Sequence, residues 1–302
     1  MEQAKGKNLE KIILSPQLES IVHRALTYMR AGYPIHFMGP TGVGKTELSF
    51  YLAHKLNRPC SYIQGNHELS NIDLLGGSTG FKQKKIVDNY IHTVYKSEQE
   101  QKELWTDGPL LDAAKKGSLF IYDEFNRSKP ETNNLLLSVL QERSLILYGK
   151  KAKEKLISVH PNFSVVFTSN PEEYTGIYKT QDALLDRMIT FRLQHYDNKT
   201  ETLIVSKKTG ISKKDAEAIV KIVSYARTLY KSKHIQAPSI RSSLMIATIA
   251  QKNHIKIDIS SKHFLLLCED ILYTPISKDD QVDPEELLSI LIEHIRGWDF
   301  EK

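Results

Sequence analysis

The sequence predicts an α/β chain in two parts: a largely parallel five-stranded sheet layered with helices over residues 1–197, then a small all-helical domain over residues 198–302. Three observations carry this. Short apolar runs alternate with helical periodicity through the first part, the pattern of a parallel sheet. From about Asn198 no strand-like run remains. Between them, Gly39-Pro40-Thr41-Gly42-Val43-Gly44-Lys45-Thr46 matches the phosphate-loop pattern G-x-x-x-x-G-K-[ST] at every fixed position.

In chain order, residues 1–14 are a polar lead-in. Ser15-Pro16 opens a helix, since proline fits a first turn, and Leu18, Ile21, Val22, Ala25, Leu26 and Met29 keep one apolar face. Ile35–Met38 reads as a buried strand entering the phosphate loop, and Leu48, Leu52, Ala53 and Leu56 recur at helical spacing after it. That strand–loop–helix context is what the motif requires. Its glycines let backbone N–H groups form an anion-binding nest at a helix N-terminus. Lys45 would reach the β- and γ-phosphates, and Thr46 would offer a hydroxyl to Mg²⁺.

Cys60–Gln64 is a second strand. Residues 65–108 are less regular: Asp73-Leu74-Leu75-Gly76-Gly77 reads as a turn, Lys82, Lys84 and Lys85 as a basic patch, and 87–96 as helical. The aromatics Tyr90, His92 and Tyr95 serve either core packing or contact with a client protein. Gly108-Pro109 precedes a helix, and Ser118–Tyr122 is a third strand ending in Asp123-Glu124. Pro130–Arg143 is a helix, and 145–147 with 156–159 forms a β-hairpin around a Lys-rich turn. Phe163–Ser169 is a fourth strand stopped by Asn170-Pro171. A short helix, Gln181–Arg187, leads to a last strand over 188–193. Five helical stretches follow, at 197–208, 212–230, 239–251, 262–272 and 284–295.

The second tier of chemistry lies at strand and helix ends. Asp123 can hold Mg²⁺ through water, and Glu124 can align and polarise an attacking water. Asn170 can hydrogen-bond a γ-phosphate and that water. Arg187 serves either the spread charge of phosphoryl transfer, worth about 10³–10⁵ in rate, or a salt bridge with Asp182 or Asp186. Arg241 stands at a helix start, where the dipole disfavours a cation, which points to a purpose outside the helix.

Composition sets bounds. Cys60 and Cys268 are far apart and form no CxxC, so neither a disulfide framework nor a zinc site is expected. The net charge of +5 is spread along the chain without a basic stripe, so no nucleic-acid partner is expected. The charged start leads into no signal-like apolar block and no apolar run approaches 18 residues; no membrane association and a cytoplasmic location are expected.

This order of parts resembles an AAA+ ATPase: phosphate loop, Asp-Glu strand, polar strand tip, helix-end arginine, and helical region with another arginine. The 73–77 turn, Gly108-Pro109-Leu110 and Asp123-Glu124-Phe125-Asn126-Arg127 resemble its MoxR branch, which includes the CbbQ/NirQ/NorQ group. Three stretches, 87–94, 121–131 and 168–176, the last running on into 179–184, resemble the gas vesicle protein N family within that group. The resemblance implies an AAA+ P-loop NTPase with a parallel five-stranded sheet core and a C-terminal all-helical lid. It places an inserted helix-2 element at about 81–108 and a pre-sensor hairpin at about 144–159. ATP and Mg²⁺ are the implied cofactors. Gly39, Pro40, Thr41, Gly42, Val43, Gly44, Lys45 and Thr46 would bind ATP, with Thr46 and Asp123 serving the metal. Glu124, Asn170 as sensor 1, Arg187 as arginine finger and Arg241 as sensor 2 would be catalytic. Relatives often have Arg-Phe where this chain has Arg187-Met188, and Ser-Pro where it has Ser239-Ile240. The implied protein is a homo-oligomer, a hexameric ring, acting on gas vesicle shell or accessory proteins. The alternative is a CbbQ/NorQ-type activator of a metalloenzyme. A DNA-translocating ring, a nucleotide-gated scaffold and a small-molecule kinase are weaker readings.

Overall fold

A computed structural model describes residues 12–87, 97–147, 155–171, 178, 182–232, 237–276 and 284–296. Residues 88–96, 172–177 and 179–181 therefore lie outside the described residues. With them lie the helix expected over 87–96 beyond Val87, and parts of the family-like stretches.

The chain divides into two compact units. One holds Leu18–Met38 and Lys45–Arg192; the other holds Ile13–Gln17, Gly39–Gly44 and everything from Leu193 onward. The phosphate loop thus groups by its packing with the C-terminal unit, although the strand and helix it joins belong to the first.

The first unit is built on a parallel sheet of five strands, β1 (Ile35–Met38), β2 (Cys60–Gln64), β5 (Leu119–Asp123), β8 (Ser164–Ser169) and β9 (Ile189–Arg192), in the order β2-β5-β8-β1-β9. Every residue of β5 is buried, as expected of an inner parallel strand covered on both faces. Met38 pairs in register with Ser169 and with Arg192, and Gln64 with Asp123. The C-terminal ends of these strands therefore share one edge, the edge where open parallel sheets bind ligands. A core of Leu74, Leu110, Phe120, Tyr122, Phe125, Leu136, Phe163 and Phe167, among others, packs on the sheet. The helices of this unit are α1 (Pro16–Arg30, begun in the other unit), α2 (Lys45–Lys55), α3 (Asn71–Leu75), α4 (Pro109–Lys116), α5 (Pro130–Gln141) and α6 (Asp182–Leu185).

Two expectations for residues 65–108 are corrected. The 73–77 turn is instead the end of α3, whose start carries a reciprocal Ser70–Asp73 capping box, followed directly by a strand. The irregular stretch is a long antiparallel ribbon of β3 (Gly76–Val87) and β4 (Ser97–Asp107). Its composition of glycine, lysine, glutamine and glutamate gives weak strand propensity, so pairing overrides local preference. The expected hairpin is present as β6 (Ser144–Leu147) and β7 (Lys155–Ser158). The Gln181–Arg187 helix shortens to the single turn of α6.

Among the described residues the C-terminal unit contains only helices as regular structure: α7 (Asn198–Thr209), α8 (Lys213–Ser232), α9 (Ile240–Lys252), α10 (Lys262–Ile276) and α11 (Pro284–Arg296). Asp197 caps α7 by accepting from the Thr200 N–H at 2.7 Å. Val205, Ile219, Val223, Ile246, Ala247 and Leu272 form its core. No described helix is long and apolar enough to cross a membrane. Inside this unit Glu201 is 1% exposed. It accepts hydrogen bonds from Ser243 Oγ at 2.6 Å and from Arg227 Nη2 at 3.2–3.3 Å, while Arg227 Nε donates to the Pro238 carbonyl at 2.9 Å. A buried carboxylate is tolerated only with such partners.

One polar side chain sits in the heart of the sheet. His36 of β1 is buried, with Nε2 2.8 Å from Ser169 Oγ and Nδ1 3.0 Å from Thr190 Oγ1, linking β1 to β8 and β9. The Phe125 ring meets it edge-on at 5.4 Å. Burial, reinforced by the positive charge of Lys45, lowers its pKa to about 4. The imidazole is neutral in the fold.

These buried polar groups set two measurable stabilities. Glu201→Ala leaves Arg227 without its counter-charge and should reduce unfolding free energy by about 3–5 kcal/mol, read by urea denaturation. The second concerns pH. The unfolded imidazole titrates near 6.5 and the folded one near 4, so the unfolded chain binds the extra proton. The His36 contribution is intact above pH 6.5 and declines as pH falls toward 4, by up to about 3 kcal/mol. Urea titrations of wild type and His36→Gln across that window should show a shallower slope in the variant.

Candidate functional site

Asp123 ends β5 with its carboxylate caught among three hydroxyls. Thr46 Oγ1 lies 2.8 and 2.9 Å from the two oxygens, Thr168 Oγ1 donates at 2.5 Å, and the Tyr62 phenol donates at 3.2 Å. These groups come from α2, β8 and β2, so the sheet order is what assembles them. Burial, then the charge of Asp123 and the hydrogen bond to it, pushes the Tyr62 phenol well above its ordinary range, which keeps it a donor. Thr168 also accepts the Glu124 backbone N–H at 2.9 Å. One hydroxyl therefore orients both members of the acidic pair.

Glu124 departs from the strand in a left-handed conformation, φ +51°, uncommon for a residue with a side chain. That turns it away from Asp123 and opens the 3₁₀ turn Phe125–Arg127. Its carboxylate accepts from Gln64 Nε2 at 3.1 Å and pairs with Arg127 Nε at 3.2 Å. Asn126 is buried in that turn and donates to the Asn170 carbonyl at 3.3 Å, tying the acidic turn to the tip of β8. Asn170 is itself buried, one residue beyond the His36-bonded Ser169.

Lys45 begins α2 and is 9% exposed. Its carbonyl accepts from Ser49 Oγ at 2.9 Å, which braces the first turn of the helix behind the loop. Gly42 and Gly44 have φ of +87° and +83°, conformations that side chains disfavour. A Cβ at Gly42 would come 2.6 Å from Ser239, and one at Gly44 would come 2.7 Å from the Tyr196 hydroxyl. Glycine is required there by both backbone and space.

The two arginines are placed differently. Arg187 follows α6, and among the described residues its guanidinium partners are neutral oxygens, the Ala183 carbonyl and Gln141 Oε1, the latter at 2.6 Å. The salt bridge with Asp182 or Asp186 is not formed. Arg241 is exposed in the first turn of α9, its N–H donating to the capping Ser239 Oγ at 3.2 Å. It belongs to the same unit as Gly39–Gly44.

Thus Thr46 meets Asp123, Thr168 bonds both Asp123 and Glu124, and Asn170 is tied to the same turn, while the described hydrogen bonds of the two arginines belong to other networks. Sequence reading missed Thr168, Gln64, Tyr62 and Arg127. The signal for Thr168 was present: a hydroxyl two residues before Asn170 on an apolar strand, facing the same way as that strand's other even positions. Gln64 and Tyr62 carried none, because their roles depend on β2 lying beside β5.

A carboxylate and a hydroxyl 2.8 Å apart are hard oxygen donors of the kind that hold Mg²⁺ together with phosphates and water. Among the described residues no group of three or more His, Cys, Asp or Glu could form an all-protein metal cage. The donor set fits an ion carried largely by its nucleotide.

A family model described as an AAA domain of the dynein-related subfamily matches residues 34–188. The chain is 40% identical over 260 residues to a gas vesicle ATPase GvpN of Ancylobacter aquaticus, covering 86% of this chain and 72% of that protein. It is 34% identical over 267 residues to a gas vesicle ATPase GvpN of Haloferax mediterranei, covering 88% and 74%. Among solved structures, a mutant of RuvB from Thermotoga maritima superposes with a TM-score of 0.52 at 17% identity, covering 97% of this chain and 81% of that one; this likeness concerns the fold alone. The chain is an AAA+ P-loop protein that hydrolyses ATP, and it belongs to the gas vesicle ATPase GvpN family.

Proposed function

We propose that this ATPase uses Mg²⁺-dependent hydrolysis in a ring to remodel a protein client during gas vesicle growth. The observation that carries the chemical part is the Thr46–Asp123 contact at 2.8 Å. It joins the end of the phosphate loop to the acidic strand, where a metal-bound triphosphate requires both. The vesicle assignment draws support from the relatives at 40% and 34% identity.

In this reading the loop N–H groups of Gly42–Thr46 hold the β-phosphate and Lys45 neutralises the β- and γ-oxygens. Thr46 and Asp123 would hold Mg²⁺, which would supply charge neutralisation on the phosphates. Glu124 leaves its partners Gln64 and Arg127, orients a water toward the γ-phosphorus and accepts its proton. Asn170 steadies the same water. Arg187 acts on the nucleotide of a neighbouring subunit, so hydrolysis needs an assembled ring. Arg241 reads the bound phosphates from the helical unit. The hairpin of β6 and β7 exposes Ile146 and Leu156, cross-strand partners, and is suited to touch the client.

Three outcomes test this. Glu124→Gln should retain ATP binding and lose hydrolysis by about 10²–10⁴-fold, measured as phosphate release. Arg187→Ala and Lys45→Ala, each inactive alone, should regain up to about a quarter of wild-type turnover when mixed equally, the share of correctly paired contacts in a closed ring; no recovery at any ratio rules out action in trans. In cells, pressure-sensitive light scattering reports intact gas vesicles. Loss of that signal with both Glu124→Gln and a deletion ties hydrolysis to vesicle growth; retention in both excludes the vesicle as client.

A further inference from the structure

The phosphate loop is clasped from outside by an aromatic residue that no motif singles out. Tyr196 stands just before α7, its ring packed against the helical core that contains Val205, Ile219 and Ile246. Its hydroxyl reaches the loop and donates to the Val43 carbonyl at 3.0 Å. The same hydroxyl occupies the space a Cβ at Gly44 would need. Tyr196, Val43 and Gly44 all belong to one compact unit.

The chemistry of a peptide plane gives this contact a consequence. No peptide bond in the described chain is cis, and in a trans peptide the carbonyl and the following N–H point in opposite directions. Holding the Val43 carbonyl toward Tyr196 therefore aims the Gly44 N–H to the other side. Gly44 has the φ > 0 conformation that allows successive N–H groups to converge into an anion nest. With φ near +83° and no side chain, that peptide would otherwise flip at small cost.

We infer that Tyr196 is a positioning residue for phosphate binding: its hydroxyl holds the Val43–Gly44 peptide in the orientation that presents the Gly44 N–H to the β-phosphate of a nucleoside di- or triphosphate. The inference rests on the nucleotide site proposed above and adds a residue to it. Tyr196 acts through the loop, by its hydrogen bond to the Val43 carbonyl. A ring anchored on the helical core and a hydroxyl on the loop also means that phosphate capture and the start of α7 share one hydrogen bond.

The test is Tyr196→Phe, which keeps the ring and its packing and removes only the donor. Binding to the full chain is measured by calorimetry for ADP, for inorganic tripolyphosphate, which fills the loop alone, and for AMP by competition. Loss of one neutral hydrogen bond corresponds to about a three- to tenfold weakening. That weakening is expected for ADP and tripolyphosphate alike, with AMP unchanged and the thermal midpoint within about 4 °C of wild type. Equal losses for all three ligands would show a general structural defect and overturn the inference, as would unchanged affinity for ADP and tripolyphosphate. Wild type that bound neither of these would instead overturn the nucleotide site itself, and this inference with it.

Discussion

The described chemistry depends on one carboxylate held by three hydroxyls. Asp123 is buried at the end of a fully buried strand, and an ionised group there is costly unless its lone pairs are met. Thr46, Thr168 and Tyr62 meet them. Each comes from a different element, and each is placed by the order of the parallel sheet. The same Thr168 hydroxyl accepts the Glu124 N–H, so satisfying the metal-side acid also sets the direction of the hydrolytic one. Folding the sheet and aiming the acids are a single event.

A second polar device works one layer deeper. His36 is flanked by Ser169 and Thr190, and so connects the strand that enters the phosphate loop to the strands that end at Ser169 and at Arg192. An aliphatic residue would pack equally well in a parallel core, but could not hold the register of these three ends through directed hydrogen bonds. In the C-terminal unit the corresponding role belongs to Glu201. Its partner Arg227 fixes the Pro238 carbonyl, one residue before the Ser239 that caps α9 and packs at Gly42. Buried charge is placed where backbone near the nucleotide loop must be held still.

Glu124 shows how a reactive group is stored. Its φ of +51° is uncommon for a residue with a Cβ, and the surrounding turn sustains it through the Asn126 and Asn133 hydrogen bonds to the Asn170 and Phe125 carbonyls. Arg127 then pairs with the carboxylate, and the Gln64 amide donates a hydrogen bond to it. The pair is partly open to solvent, where such ion pairs are worth about 1 kcal/mol or less. Releasing Glu124 toward a water therefore costs little.

Much was legible in the residues. The glycines of the loop, Lys45, Thr46 and the Asp123-Glu124 strand end announce themselves because phosphate chemistry demands those residue types at short, fixed spacing. Periodicity likewise separated five apolar strand runs from the helical stretches beyond Asn198, since burial on both faces and burial on one face leave different patterns. The ribbon of β3 and β4 was not legible: strands of low propensity form there through pairing, which is a property of two segments and not of either alone. Gln64, Tyr62 and Tyr196 gained their roles only in the fold, because each acts on a residue between 60 and 153 positions away. The sequence by itself determined which atoms could do the chemistry. Only the tertiary structure decided which donors hold them, because hydrogen bonding between distant segments depends on strand order and register, and neither is written in local spacing.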